Sequence, residues 1–268
     1  MDKLDRAKFD LVIANRILAR EGIFDAFGHI SIRHPLDPGR FLQSCSRSPE
    51  LVIPSDIMEL TFDCKAVGGD GRPTYLERFI HGAVYAARPE IRAVVHSHAE
   101  SILPFTVTET AFVPVIHTAS VLGMTIPLWD IRDRFGTKTN MMVTNDTQAR
   151  DLVQSLGHNN MVLMRGHGFT AVSDYLVQAL RISIYAPSNA RVLFEARRLG
   201  AVRALTQDEI DMNAAIDPES PAVMRVWEYW ARRAGCADLL ESRRSIAVSR
   251  SASARNVRRR GAKRRSAR

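Results

Sequence analysis

AVVHSHAES, residues 93–101, is the stretch from which the rest of the chain can be read. Its first half is a run of apolar, β-favouring residues, so Arg92–Ser97 is expected to be a buried strand. Side chains two apart on a strand share a face. His96 and His98 therefore project side by side where the strand stops, an arrangement in which two imidazoles can chelate a divalent cation. Packing histidines account for such a pair about as well, and a third ligand is needed to decide between the readings.

LMRGHGFTAV, residues 163–172, supplies one. His167 follows an apolar strand at 161–164 and stands between two glycines, which let the backbone turn sharply and leave the ring accessible. Three histidines with an open fourth position make a catalytic metal site rather than a closed structural one. Upstream, residues 74–88 read as a helix ending before Pro89, with Glu77 in its first turn and His81 four residues on. Taken alone, Glu77 is an acid complementing a helix dipole and His81 a packed or hydrogen-bonded residue.

Further from the centre, residues 3–20 show a 3.6-residue apolar period and form a helix with one buried face. FGHISIRHP alternates as a strand until Pro35, and short strands are expected at 40–44, 51–53, 58–62, 112–116 and 126–129. VGGDGRP, 67–73, lacks the GxxxxGK[ST] pattern of a phosphate loop and reads as a hairpin turn. Helices are expected at 99–103, 146–156, 174–199 (interrupted or kinked at Pro187), 206–214 and 220–234. Strands grouped in the middle with helices around them give an α/β fold in three α/β/α layers. His117 is placed at the pocket or in packing, His34 and His158 beside turns in solvent. Tyr185 reads as core, and Trp227, Tyr229 and Trp230 as an anchor onto the body or a second subunit.

The chain has 268 residues and a net charge of +8. The excess sits in residues 243–268, which hold eleven Arg or Lys and no acid, while residues 1–242 carry 26 basic against 29 acidic residues. Two segments are therefore expected: a catalytic domain over 1–242 and a basic, disordered tail over 243–268. The tail has no aromatic residue among its arginines, so nucleic acid is not the expected partner beyond nonspecific contacts. Three scattered cysteines, Cys45, Cys64 and Cys236, make no disulfide framework and no thiolate zinc site. No apolar run approaches membrane length and the N-terminus lacks the pattern of a signal peptide, so no membrane partner and a cytoplasmic location are expected.

GHISIR (28–33), YLERFIHGAVYAARPEIRAVVHSHAES (75–101) and LMRGHGFTAV (163–172), in that order, resemble the class II aldolase/adducin family over roughly residues 5–200. The resemblance implies a three-layer class II aldolase-like domain with a mixed, largely antiparallel sheet. It implies one divalent ion per subunit on His96, His98 and His167, with Glu77 as acid/base and possible fourth ligand. Mn, Co or Zn are favoured over Fe or Mg. Homotetramers with sites between neighbouring subunits are implied as well.

The departures from the family's sugar-phosphate members decide the substrate class. Gly28–His29 stands where those members have Gly-Asn, SCSRSPEL (44–51) where they have a Thr-Gly or Ser-Gly pair, and Tyr75–Leu76 where they have Ser-Ser before the glutamate. A phosphate dianion needs several short donors, and these positions do not offer them. His29, Ser46, Arg47, Ser48 and Tyr75 are the substrate-binding candidates in their place, with Arg47 suited to a carboxylate and Tyr75 to a planar ring. Glu77, His29 and Arg47 are the catalytic candidates. ERFIHGAVYAARP resembles the decarboxylase branch, which acts on hydroxylated aromatic or pyridine dicarboxylates in aromatic compound catabolism. The reaction so implied is a carboxy-lyase reaction through a metal-stabilised enolate, favoured over aldol cleavage or epimerisation of a small sugar or hydroxy acid. A non-catalytic, adducin-like scaffold is the remaining alternative, and the three histidines with Glu77 argue against it.

Overall fold

The computed structural model describes residues 2–241. The expected basic tail, 243–268, lies outside the described residues, so neither it nor the boundary at 242 is addressed. Seven strands form one sheet in the order β3-β2-β1-β4-β7-β6-β5. They are β1 His29–Arg33, β2 Arg40–Ser44, β3 Ile57–Thr61, β4 Ala93–Ser97, β5 Leu128–Trp129, β6 Met161–Met164 and β7 Gly168–Ser173. Every pairing is antiparallel except β5 with β6, so the sheet is mixed and largely antiparallel, as expected.

Strand alternation sends two sets of side chains to opposite faces. Ile30, Ile32, Ala93, Val95, Phe169 and Ala171 join a core with α1 (Lys3–Arg20), α6 (Leu176–Leu199) and α8 (Pro221–Arg233). Val94, Val162, Met164 and Val172 pack on the other face with α2 (Arg78–Ala87) and α5 (Asp146–Leu156). This is the three-layer α/β/α arrangement. Asp2 caps α1 by accepting from the Asp5 amide, and Asn145 caps α5 by accepting from Gln148. Single turns α3 (Leu103–Thr106) and α4 (Arg132–Phe135) and the helix α7 (Gln207–Ala214) complete the order.

Several local expectations change. Residues 112–116 are not a strand. Their backbone bonds go elsewhere than to a strand ladder: Asn189 Nδ2 on α6 donates to the Val113 carbonyl, Asn189 Oδ1 accepts from the Val115 amide, the Pro114 carbonyl accepts from the Leu205 amide, and Pro114 has no amide of its own to offer. Residues 49–51 form a single 3-10 turn opened by Pro49 instead of a strand at 51–53. The glycine-rich loop contains a 3-10 turn at Val67–Gly69. Helix α6 continues through Pro187 without interruption. His34 is buried rather than solvent-facing, its Nδ1 accepting from the amides of Leu36 and Asp37. Trp227 and Trp230 are buried in the α1/α6 core, with Trp230 against the Tyr185 ring, whereas Tyr229 is exposed. The three cysteines are free.

Candidate active site

The site forms where β4 ends, at the centre of the sheet. β1 and β7 flank β4, and the register sets His29 opposite His96 and Thr170 on its other side. His98 follows the last strand residue. His167 occupies the turn from β6 to β7, between Gly166 and Gly168. Gly168 has φ +153°, and a Cβ there would fall 2.0 Å from the Ser97 carbonyl oxygen, so only glycine lets the β7 start approach the β4 end this closely. Glu77 is not inside the first turn of α2 but at the position before it, with no capping bond from its side chain. That leaves the carboxylate free to reach across to the strand ends.

The Nε2 atoms of the three histidines converge. His98 Nε2 is 3.0 Å from His96 Nε2 and 3.1 Å from His167 Nε2, and Glu77 Oε2 is 3.3 Å from both His96 and His167. All four ligand atoms lie within 4.8 Å of one another. The opposite ring atoms are spoken for in two cases. His167 Nδ1 donates to the Met141 carbonyl, and His98 Nδ1 faces Asp25 Oδ2 at 3.5 Å. A carbonyl only accepts, so the neutral His167 ring carries its hydrogen on Nδ1 and turns a bare Nε2 lone pair toward a carboxylate oxygen and a second imidazole. Such a cluster of electron pairs calls for positive charge at its centre. Burial works to lower the His167 imidazole, but the facing Glu77 carboxylate raises it above its ordinary value, so without an ion a proton on His167 supplies part of that charge. Burial, followed by the neighbouring His96 and His167 rings, presses the His98 imidazole down to about 4. Burial works to raise the Glu77 carboxyl, but the facing His96 and His167 hold it well below the usual carboxylate range. The donor set, three imidazoles and one carboxylate, with far-side partners on His98, His167 and Glu77 and none among the described residues on His96 Nδ1, fits a divalent transition ion.

Residues 141–143 complete the enclosure. Met141 adopts a left-handed φ of 66°, which aims its carbonyl at His167, and the Val143 amide donates to Glu77 Oε1 at 2.8 Å. Asp25 and the carbonyl of Met141 carry no sequence signal of this role: one is an ordinary turn acid, the other a backbone atom.

A cleft of about 400 Å³ opens over the cluster, lined by Phe27, His29, Ser46, Tyr75, Leu76, Glu77, His98, Met142 and His167. Of the substrate-binding candidates, His29, Ser46 and Tyr75 face this cleft, with the Tyr75 ring 4.7 Å from that of His29. Arg47 and Ser48 are not among the lining residues. The Arg47 guanidinium pairs with Asp56 at 3.4 Å, and its carbonyl accepts from the Tyr75 hydroxyl, which also bonds Ser44. His117 begins a 3-10 turn away from this lining, and His158 is exposed. Sequence reading missed Phe27 and Met142 as walls. Phe27 was read as the head of the FGHISIRHP strand, whereas the strand starts at His29 and leaves Phe27 71% exposed at the cleft.

A family model described as "Class II Aldolase and Adducin N-terminal domain" matches residues 9–194. The chain belongs to the class II aldolase and adducin family. It is 32% identical over 239 residues to a decarboxylase, tropJ, of Talaromyces stipitatus, covering 81% of this chain and 89% of that one. It is 25% identical to a 3,4-dihydroxyphthalate decarboxylase of Terrabacter, covering 71% of this chain and 81% of the relative. Among solved class II aldolase folds, an aldolase II superfamily protein from Pseudomonas syringae superposes with a TM-score of 0.73 at 17% identity, covering 89% and 96% of the two chains. No helix of the described residues is long and apolar enough to cross a membrane.

Proposed function

We propose that the protein is a divalent-metal-dependent decarboxylase of a hydroxylated aromatic or pyridine carboxylic acid, with dicarboxylates the first substrates to test. The observation that carries this reading is the wall of the cleft. Its lining offers Phe27, Tyr75, Leu76 and Met142 as apolar surface and, among the described residues, contains no Arg or Lys. Leu76, beside the acid/base, supplies no donor. A phosphate dianion finds too few donors there, while a planar ring finds an aromatic partner in Tyr75 and apolar cover above and below. The relatives named as decarboxylases support the same choice.

His96, His98 and His167 would hold the ion, with Glu77 a fourth ligand only until substrate takes its place and frees Oε2 as a base, and Mn, Co or Zn suit this donor set best. When bound, the ion supplies Lewis acidity beside the ring oxygen and its neighbouring carboxylate. The chain's own residues do the rest. Glu77 Oε2, held ionised, takes the proton of the ring hydroxyl and returns it to the carboxylated ring carbon, giving a ketone-like tautomer. The bond to the carboxylate then breaks, CO2 leaves, and the electron pair restores the aromatic ring as a phenolate, which takes a proton from water. His29 and Ser46 bind substrate oxygens, and Tyr75 stacks on the ring. Arg47 anchors a second carboxylate on exchanging its Asp56 partner for substrate, with Ser48 beside it. Assembly as a homotetramer in the cytoplasm belongs to this reading.

Metal content by mass spectrometry, coupled to CO2 release from hydroxylated aromatic dicarboxylates after reconstitution with Mn, tests it. Near-stoichiometric metal with CO2 release is expected. Release of an aldehyde from small hydroxylated substrates instead would assign aldol cleavage, and no metal under any loading condition would remove the site.

A further inference from the structure

The face of β1 that looks toward α2 carries polar side chains where an apolar layer would be ordinary. His29, Ser31, His81 and Tyr85 are all buried, none more than 2% exposed. They form a continuous hydrogen-bonded file. His29 Nδ1 lies 2.7 Å from His81 Nε2, His81 Nδ1 lies 2.6 Å from Ser31 Oγ, and Ser31 Oγ lies 2.9 Å from the Tyr85 hydroxyl. The file starts in the cleft at His29 and runs inward between β1 and α2, with Phe41 against the rings of both His81 and Tyr85. Sequence reading took His81 as merely packed or hydrogen-bonded. The structure gives it a specific partner at each ring nitrogen.

The hydrogens in such a file have a direction, and the buried end fixes it. Burial pushes the Tyr85 phenol up, so it keeps its proton. The Val94 amide donates to its oxygen, and among the described residues the acceptor within reach of its hydrogen is Ser31 Oγ. A phenolic hydrogen sealed from water without an acceptor is costly, so Tyr85 donates to Ser31. Ser31 then spends its own hydrogen on His81 Nδ1. A neutral imidazole has one hydrogen, so that of His81 sits on Nε2 and is donated to His29 Nδ1. The hydrogen of His29 is left on Nε2. That nitrogen has no hydrogen-bond partner among the described residues, and the His29 ring lines the cleft. The opposite direction would leave the Tyr85 hydrogen with nothing to bind.

We infer that His81, Ser31 and Tyr85 are positioning residues which lock His29 in its Nε2–H tautomer and present it to the cleft as a hydrogen-bond donor for a substrate oxyanion. His29 is thereby a donor and not a proton acceptor, which leaves Glu77 as the group that moves protons. The inference rests on the proposed decarboxylase reading only for the identity of the oxyanion; the tautomer is a property of the protein.

Long-range proton–nitrogen correlation on histidine-labelled, zinc-loaded protein reads the tautomer directly. Wild type is expected to show His29 with a protonated Nε2 and a bare Nδ1. His81→Gln can still offer an amide hydrogen at the position of His81 Nε2 and is expected to keep that tautomer. His81→Phe cannot, and is expected to lose it, with kcat down roughly 10–100-fold at unchanged metal content. A wild-type His29 protonated on Nδ1 would overturn the inference, and so would a tautomer that persists in His81→Phe. Should His81→Phe fail to fold, the wild-type and His81→Gln spectra still decide. If wild type releases no CO2 from any acid tested, the decarboxylase reading fails while the spectrum continues to test the file.

Discussion

Replacing Glu77 by Gln and by Ala separates two functions of one side chain, because its two oxygens have different partners. Oε1 accepts from the buried Val143 amide at 2.8 Å, and Oε2 faces His96 and His167 at 3.3 Å. Gln keeps a carbonyl oxygen for Val143 and leaves three imidazoles for the metal, so fold and metal content are expected to stay near wild type. It cannot accept the ring-hydroxyl proton, and loss of general acid–base catalysis lowers turnover roughly 10²–10⁴-fold. Ala loses the proton carrier and also strands the Val143 amide, a cost of about 1–3 kcal/mol. For a domain of this size each kcal/mol moves the midpoint by about 2–4 °C, so Glu77→Ala is expected to melt about 2–12 °C lower. Thermal melts, metal analysis and CO2 release on the three proteins make the assay. Undiminished turnover in Glu77→Gln would refute the role of Oε2, and a wild-type melting point in Glu77→Ala would refute that of Oε1.

Three further outcomes are expected. His167→Ala should lose metal and turnover together and should no longer be stabilised by added ion, whereas wild type gains about 4 kcal/mol at a thousandfold excess over Kd; an equal melting-point rise in both proteins would place the ion elsewhere. Gly168→Ala should destabilise by about 1–3 kcal/mol or more through the contact of its Cβ with the Ser97 carbonyl, and because that contact lies between His98 and His167 it should weaken metal binding as well, which calorimetric titration would show. In metal-free protein, urea unfolding should show stability falling as pH drops below 6.5. His81 is held by burial at about 3 when folded and is ordinary when unfolded, so its contribution is fully present above 6.5 and is lost toward 3, at about 1.4 kcal/mol per pH unit. His29, lowered by burial and by His81 and His96, acts in the same direction. A flat profile from pH 7 to 5 would mean that both rings are protonated in the folded protein.

The histidine cluster was legible because strand geometry is rigid. A period of two fixes that His96 and His98 share an end, and glycines on both sides of His167 announce a turn at a neighbouring strand. The family's order of motifs supplied the fold and pointed to Glu77, which the structure places beside the three histidines. What could not be read was what backbone atoms contribute and where loops travel. The Met141 carbonyl and Val143 amide belong to a segment with no periodicity, and its left-handed Met141 has no side-chain signature. The charge of Arg47 suits a carboxylate, but no sequence signal showed that Asp56, nine residues on, pairs with its guanidinium and must be exchanged for substrate. His34 was misplaced because a neighbouring Pro suggested solvent, whereas two loop amides needed its ring as an acceptor.

The same alternation explains why one short strand serves both stability and chemistry. In β1, Ile30 and Ile32 enter the core with α1 and α6, and His29, Ser31 and Arg33 turn to α2. Arg33 is closed off on that side by the carbonyls of Tyr85, Arg88 and Ile91 and by the rings of Phe62 and Tyr85. A register slip of one residue would exchange the two sets, putting isoleucines into the site and three polar groups into the core. The pairing of His29 with His96 is therefore enforced by the apolar face alone, independently of any ligand. The site's strand-borne half is in place before metal arrives, while Glu77 and the Met141–Val143 segment, which lie outside the sheet ladder, are the parts whose order metal binding should most increase. Amide exchange at Val143 with and without ion is expected to slow on loading, while exchange at Val95 in the sheet centre stays as it was; equal slowing at both would mean that the strands, too, are set only by the metal.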